Sequence, residues 1–558
     1  MIVEYGKMIV LLAALLLSAL GYFLYAIQTY KLKIEFAPAL FCAWCSNLLF
    51  LGGILNILPE MAVLLFAGGY ILLALSFKRR IYLSRRDVLL LTGFFLVLIY
   101  FAWMMKGVHY TSYDNFSHWA TVVKDMLLEN RMPNFEDPMI RFQSYPLGSS
   151  LFIYYICKAI GSQDGCLLWA QLFMLVSFLF CMTVFFQKKR WYWEIIAGLF
   201  GIWALISNNS IYELRVDTLL PLASVAAFAV IYYYKDNPKK AADTSLGLLI
   251  LLIQIKNSGI FFYLICILFL TFFIHKNEKQ AGYYKLRLWV EILAVPLFSL
   301  FLWKKHVAFV FPKGMESKHA MSLDNYGQVF AKKTVDDITR IGLNILTRFT
   351  RLENVEVMMM LVITLLVIAA LCLQKECQLK RALQILAVDF GCLAAYTVSL
   401  YGMYLFSMPL GESERLASYD RYMLSVLIFI YGITVICLAD CIGYQKKGRW
   451  ERAGIVAVWI VMMLPLYSCR TQLDRLYQKP DFKGTKRFKL QDIIRTKGME
   501  TGDSCFIYCH GTDDDARYLF YLTRYELWSD NILVVMEKDF EKEKYQISNF
   551  DWFVEWDR

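Results

Sequence analysis

Five ionisable side chains stand where an apolar chain has little reason to keep them: Asp114, Asp217, Lys256, Arg415 and Arg421. Asp114 lies in "TSYDNFSHWATVVKDMLLENRMP", directly after the hydrophobic run 87–105. A carboxylate at the exit of such a run can take a proton from a substrate hydroxyl. The same residue also suits the N-cap of the helix that follows. His118 comes one helical turn later and shares its face, so the pair suits a common substrate or metal, or His118 makes an ordinary hydrogen bond. Lys124 and Asp125 are expected to face water or headgroups.

In "SNNSIYELRVDTLLPL", Asp217 opens an apolar run, with Glu213 and Arg215 just before it. Ionisable residues at the edge of a span are costly unless they serve a site; a plain Arg215–carboxylate ion pair is the alternative. Lys256 interrupts "IQIKNSGIFF", where Ser258 and Gly259 predict a helix break. Its ammonium suits a phosphate, or snorkels to the interface. In "GESERLASYDRYM", Arg415 and Arg421 flank Tyr419 and Asp420. Arginines at this depth suit a phosphate, or else pair with headgroups and carboxylates.

The elements that must hold these residues follow from composition. The chain has 558 residues, 58% hydrophobic and 19% charged, with 41 Phe, 35 Tyr and 14 Trp. Repeated apolar runs of about 18 residues or more predict a polytopic, all-α membrane protein. The first run begins near Met8 and carries no small-residue cleavage pattern, so it is expected to remain as an anchor. The formal net charge of +11 fits cytoplasmic loop bias and not nucleic-acid binding. The 14 Cys fall mostly inside apolar runs and form no zinc spacing.

Basic clusters at Lys31/Lys33, Lys78–Arg80, Arg85/Arg86, Lys188–Arg190, Lys239/Lys240, Lys276/Lys279/Lys285, Lys375/Lys380/Arg381 and Lys446/Lys447/Arg449 set the orientation, all inside. About 14 transmembrane helices result: 8–27, 36–56, 59–77, 88–105, 165–187, 191–206, 216–234, 243–256, 260–275, 286–303, 355–373, 382–407, 421–443 and 452–468. The segments 106–164, 207–215, 304–354 and the tail from about 469 are then outside, and so are all five residues. Phe116, Trp119, Val122, Val123, Met126 and Leu127 recur at helical spacing, predicting a helix over 115–130 along the membrane surface. Residues 145–160 are too short to span comfortably and are expected to form a second juxtamembrane helix. In the tail, "SCFIYCHG", "NILVVM" and "DWFVEW" predict strands and "DDDARYLFYLTRYELW" a helix. Residues 469–558 are thus expected to be a small extracytoplasmic α/β domain, in which Cys505 and Cys509 share a strand and do not bridge.

This arrangement resembles the GT-C glycosyltransferases, polytopic enzymes of the plasma membrane that use polyprenyl-phosphate-linked sugars. "YDNFSHWATVVKDMLLENRMP" looks like their first extracytoplasmic loop, with its key Asp just after a span. "SYPLGSSLFIYYICKAIG" looks like the Pro-led helix that follows, and "ELRVDTLLPLASVAAFAVIYYYK" is similar to their second acidic position. The resemblance covers roughly 88–468 and leaves 1–87 as extra N-terminal helices. It implies an inverting transfer at the outer face of a cell membrane, expected to be a bacterial plasma membrane, to a cell-envelope glycan or glycolipid acceptor. Asp114 would be the base. Asp217 would position the acceptor or, with Asp114, hold a divalent cation (Mg or Mn). Lys256, Arg415 and Arg421 would hold the departing polyprenyl phosphate; His118, Glu213, Arg215 and Tyr419 would contact substrate. Asn115 stands where many members carry a second acidic residue, which argues against a metal in this loop. No P-loop or dinucleotide fingerprint is present on the inside. Two other functions keep a claim: a transporter or flippase of lipid-linked saccharides, which calls for inverted repeats and broken helices, and a polysaccharide polymerase or ligase.

Overall fold

The computed structural model describes residues 2–79, 83–186, 192–276, 282–311, 323–372, 379–441 and 449–557. Arg80, the cluster 188–190, Lys279, Lys375, Lys446 and Lys447, which carry part of the charge-bias argument, lie outside the described residues. Among those described, nine helices are long and apolar enough to cross a membrane. A tenth crossing forms if Val456–Ser468 and Arg470–Leu476, bent by 85°, count as one. The chain is a polytopic, mainly helical membrane protein with a small sheet near its C-terminus.

Every one of the fourteen expected segments falls on a helix, but fourteen crossings are not reached. Leu219–Tyr233 has 15 residues, about 22 Å at 1.5 Å per residue, against a hydrocarbon core of about 30 Å. Ile195–Ser207 and Val355–Ala370 are likewise short. Pro238–Ile255 carries Lys239, Lys240 and Asp243 in its first two turns. These helices are nonetheless deeply packed. Leu219–Tyr233 is buried from Leu219 to Ile231, so it forms the middle of the bundle instead of facing lipid.

Hydrocarbon gives helices no hydrophobic reason to associate, so close approach at small residues matters. A Cβ on Gly21 would lie 1.9 Å from the Gly69 carbonyl oxygen. That contact lets Ile2–Tyr30 and Leu58–Lys78 cross backbone to backbone.

The helix Gly282–Val310 runs further than expected, with Pro296 inside it. Beyond it, Val335–Arg348 starts on a Thr334/Asp337 capping box and buries Ile341 and Ile345. Lys333 donates to the carbonyls of Leu405 (2.8 Å) and Met408 (2.7 Å), a cation satisfying the C-terminus of helix Leu379–Phe406.

The tail is α/β as expected. Strands β1 (Cys505–Cys509), β2 (Ile532–Met536) and β3 (Trp552–Trp556) form a parallel sheet in the order β2-β1-β3. Cys505 pairs in register with Ile532 on one side and Trp552 on the other. Helix Asp513–Leu527 makes the crossover from β1 to β2. Cys505 and Cys509 are both free.

Candidate functional site

Asp114 does not cap a helix. Its own backbone is helical (φ −63°, ψ −24°) and its side chain makes no capping bond. The following turn, Asn115–Trp119, is a π-helix leading into helix Ala120–Glu129. Single π turns recur at functional sites because they redirect one side chain. Here Asp114 points at helix Tyr419–Cys441: its Oδ2 accepts from Arg421 Nη1 at 2.6 Å, with Arg215 Nη1 at 3.8 Å.

Arg421 links that carboxylate to the next. Its Nε lies 3.3 Å from Asp217 Oδ2, and Asp217 Oδ1 accepts from Lys256 Nζ at 2.9 Å. The Arg421 Nε is buried and faces Asp217 in this ion pair without a well-aligned hydrogen bond. Ser425, one turn along the same helix, donates to the Asp217 carbonyl at 2.8 Å. Lys256 reaches Asp217 because Pro238–Ile255 ends there. Lys256 is fully extended (φ −160°, ψ 153°), and helix Gly259–Lys276 begins three residues later. The break needs Gly259, whose Cβ would fall 1.9 Å from the Leu252 carbonyl oxygen. The helix break expected from "IQIKNSGIFF" is there.

Glu213 and Arg215 complete the network. The Arg215 Nε pairs with the Glu213 carboxylate, which also accepts from Asn209 Nδ2 at 2.8 Å. Burial pushes the Glu213 carboxyl up, against the pull of Arg215. Gln171 donates to the Glu213 carbonyl at 2.6 Å, and Asn115 Oδ1 accepts from the Leu214 amide at 3.0 Å. The irregular 208–218 segment is thereby fixed to the Asp114 turn. Exposure falls inward along the chain of charges, from 28% at Asp114 and 24% at Arg421 to 15% at Lys256 and 7% at Asp217.

Lys256 also lines a cavity of about 410 Å³. Tyr145, Tyr422 and Ser258 surround its polar end, while Phe261, Leu400, Met403 and Phe406 line the apolar remainder. Lys256 Nζ sits 5.1 Å from the Tyr422 ring centre. The cavity therefore has a cationic head and an apolar body, the form that an amphiphilic anion fits.

Other expected residues lie elsewhere. His118 packs against Trp119, Phe142 and Tyr145, with ring centres 4.6, 5.5 and 5.0 Å away. Burial, helped by the Lys256 ammonium, pushes its imidazole down to about 3, so it is neutral. Tyr419 is buried under the Arg348 guanidinium at 4.8 Å. Arg348 in turn holds Glu356 at 3.0 Å and pairs with Asp420. That is a second cluster, distinct from the Asp114–Asp217 network. Arg415 is exposed at the end of the short helix Leu410–Glu414, and among the described residues it pairs with no carboxylate.

The expectation for Lys124 and Asp125 was wrong, as was the surface helix over 115–130. Residues 115–123 are buried throughout, and Asp125 is 2% exposed. The apolar periodicity is real, but protein covers it instead of headgroups. Helix Asp513–Leu527 of the tail lies across this turn, with Tyr518 and Tyr525 against Phe116 at 5.9 and 5.4 Å. Lys124 donates to the Tyr525 carbonyl at 2.7 Å. Helix Gly148–Ile160 is likewise interior, buried from Gly148 to Cys157.

One residue that sequence reasoning missed fixes the tail in place. Arg487, 4% exposed, donates to Asp164 at 2.5 Å, Glu526 at 2.6 Å and the Tyr110 carbonyl at 2.7 Å. No local sequence signal marks it, because its partners come from three distant segments.

As a metal site, the two carboxylates fit poorly. Asp114 and Asp217 are bridged by Arg421, and Asp217 also holds Lys256. The cations present already occupy the position a divalent ion would take, and no step is derived through one. No family model matches the chain, and no curated protein matches it. The fold and the site define a class only: a polytopic helical membrane protein with an alternating acid–base network whose Lys256 also lines a largely apolar cavity.

Proposed function

We propose that the protein is an integral-membrane glycosyltransferase that moves a sugar from a polyprenyl-phosphate-linked donor to a cell-envelope glycan or glycolipid. One observation carries this reading: Asp114, Asp217, Lys256 and Arg421, from four distant segments, form one network, and its Lys256 lines a cavity with an apolar body. The donor's phosphate pairs with Lys256 and Arg421, and its isoprenoid chain lies along Phe261, Leu400 and Phe406. A phosphate there competes with Asp114 for Arg421. Its arrival frees the Asp114 carboxylate to take the acceptor's proton, while the fixed cations stabilise the leaving phosphate. Asp217 keeps Lys256 and Arg421 oriented. The sugar transfers with inversion in this scheme, since Asp114 acts as the one base while Asp217 is held by Lys256 and Arg421. The acceptor enters on the extracytoplasmic side, where the tail also lies.

The flippase reading draws on the break at Lys256, since broken helices mark transporter sites. It has no need of a carboxylate at Asp114. The test is sugar transfer from a polyprenyl-phosphate donor by detergent-purified protein. Lys256→Ala and Arg421→Ala should each weaken donor use roughly ten- to a hundred-fold, the worth of a charge-assisted phosphate contact of about 1.5–3 kcal/mol. Unchanged donor binding in both variants would end the phosphate role of this pair.

A further inference from the structure

A larger cavity, about 650 Å³, lies apart from the Asp114–Asp217 network, between the first three helices and helices Pro238–Ile255 and Gly282–Val310. Its walls are aromatic: Tyr22, Tyr25, Tyr30, Phe41 and Trp44 all line it. Ring faces attract cations, more so where water is scarce. Two carboxyl groups, Asp243 and Glu291, also line it, one from each of the two later helices. They face each other within hydrogen-bonding reach. Among the described residues neither forms an ion pair, although Lys239 and Arg287 lie one turn before them on the same helices. Two carboxyl groups this close cannot both carry charge comfortably without a cation between them.

The surroundings add two further constraints. Arg79 stands over Tyr25, which lines the cavity, at 5.5 Å, and the exposed Lys239 and Arg287 lie one turn before Asp243 and Glu291 on the same helices. Leu40, Leu48, Leu65 and Leu72 make the apolar part of the wall, and Trp44, which also lines it, is 41% exposed. A ligand complementary to all of this has a cationic end, an adjoining anion and apolar chains. Trp44 is held in place by Gly247, where a Cβ would come within 2.9 Å of the indole.

We propose that this cavity binds a phospholipid with a primary-amine headgroup. Its ammonium sits between Asp243 and Glu291 against the rings, its phosphodiester faces Arg79, Lys239 and Arg287, and its chains follow the leucines. The three N-terminal helices thereby form half of a lipid site. A primary amine suits it better than a quaternary one, because two carboxylates need N–H donors. An anionic headgroup is repelled by the same pair.

The experiment is native mass spectrometry of the full chain, delipidated in mild detergent. Three probes are offered: phosphatidylethanolamine, phosphatidylglycerol and water-soluble phosphoethanolamine. The expected result is retention of phosphatidylethanolamine at least about tenfold over phosphatidylglycerol, with phosphoethanolamine held weakly. Asp243→Asn with Glu291→Gln should abolish the preference, and Trp44→Ala should lower retention with both charges intact. Melting curves show whether each variant folds; if the double variant does not, Trp44→Ala decides. Equal retention of the two lipids, a preference surviving in the folded double variant, or unaltered retention in Trp44→Ala overturns the proposal. Phosphoethanolamine bound as tightly as the lipid overturns it in favour of a soluble amine.

Discussion

Lys256 Nζ lies 2.9 Å from Asp217 Oδ1, although 39 residues separate them in sequence. Asp217 is buried and Lys256 largely so, so each is the other's reason for staying charged, with Arg421 as a third member. Removing one member of a buried pair leaves an uncompensated charge and costs about 3–5 kcal/mol, whereas removing both costs far less.

The first prediction is therefore a double-mutant cycle. Lys256→Gln should lower stability by about 3 kcal/mol, at the low end because Arg421 still faces Asp217. Asp217→Asn should cost a similar amount. The double variant should regain at least half of either loss. Thermal melts in detergent measure all three, and strictly additive losses would show that the pair is not coupled.

Much of this site was legible from sequence because membranes make charge expensive. Asp114, Glu213, Arg215, Asp217, Lys256 and Arg421 stood out from apolar surroundings, and all six meet in one network. Arg415 and Tyr419 carried the same signal but lie elsewhere. Proximity to Arg421 in sequence says nothing of which way a helix face turns. The tail's strands and helix were readable from their periodicity. Its docking was not: amphipathic periodicity in 115–130 shows that a face is covered, and is silent on whether lipid or protein covers it. Among the described residues nine helices are long and apolar enough to cross, fewer than the fourteen expected, for a related reason. A short helix such as Leu219–Tyr233 is apolar because other helices surround it, which hydropathy does not distinguish from lipid.

Asp125 gives a pH dependence. Burial, with Asp137 nearby, pushes its carboxyl up to about 8, and its Oδ2 has no hydrogen-bond partner. The folded state holds the proton more tightly than the unfolded chain does. The stability this contributes is complete below about pH 4 and is lost as pH rises toward 8. Asp125→Asn should flatten that slope: it should melt like the parent at pH 4.5 and several degrees higher at pH 8. A parent whose melting temperature does not fall between these values would show that Asp125 is ionised and satisfied.

Arg487 ties the tail to the first loop through Asp164 and the Tyr110 carbonyl, and holds Glu526 of the tail's own helix. Arg487→Ala leaves Asp164 with His109 and Glu526 with Gln491 but removes the guanidinium between them, a loss of about 3 kcal/mol, the low end for a broken buried pair. Because the tail covers the Asp114 turn, the variant should expose the 469–500 region to protease while the helical core stays folded. Arg487→Lys keeps the charge but not the fork, and should fall between the two. Limited proteolysis with fragment masses reads the result; equal protease resistance of Arg487→Ala and the parent would place the tail's anchorage elsewhere.

Asp114→Asn separates chemistry from structure. The side chain makes no capping bond, so no cap is lost. Its pairs with Arg421 and Arg215 are part-exposed, at 28% for Asp114, so their loss costs about 0–1 kcal/mol. Arg421 keeps Asp217 as its neighbour. The variant should therefore melt within a few degrees of the parent. Its transfer activity should nonetheless fall about 10²–10⁴-fold, because an amide cannot accept the acceptor's proton. Glu129→Gln is the control. It lies on the adjoining helix and is about half exposed, with only a 3.9 Å contact to Arg131, and its activity should match the parent. The measurement is sugar transfer from a polyprenyl-phosphate donor by purified variants, each with a melting curve. A folded, fully active Asp114→Asn would remove the base from the mechanism and leave Asp114 as the outer end of an ion-pair chain whose work is to hold Arg421 in place.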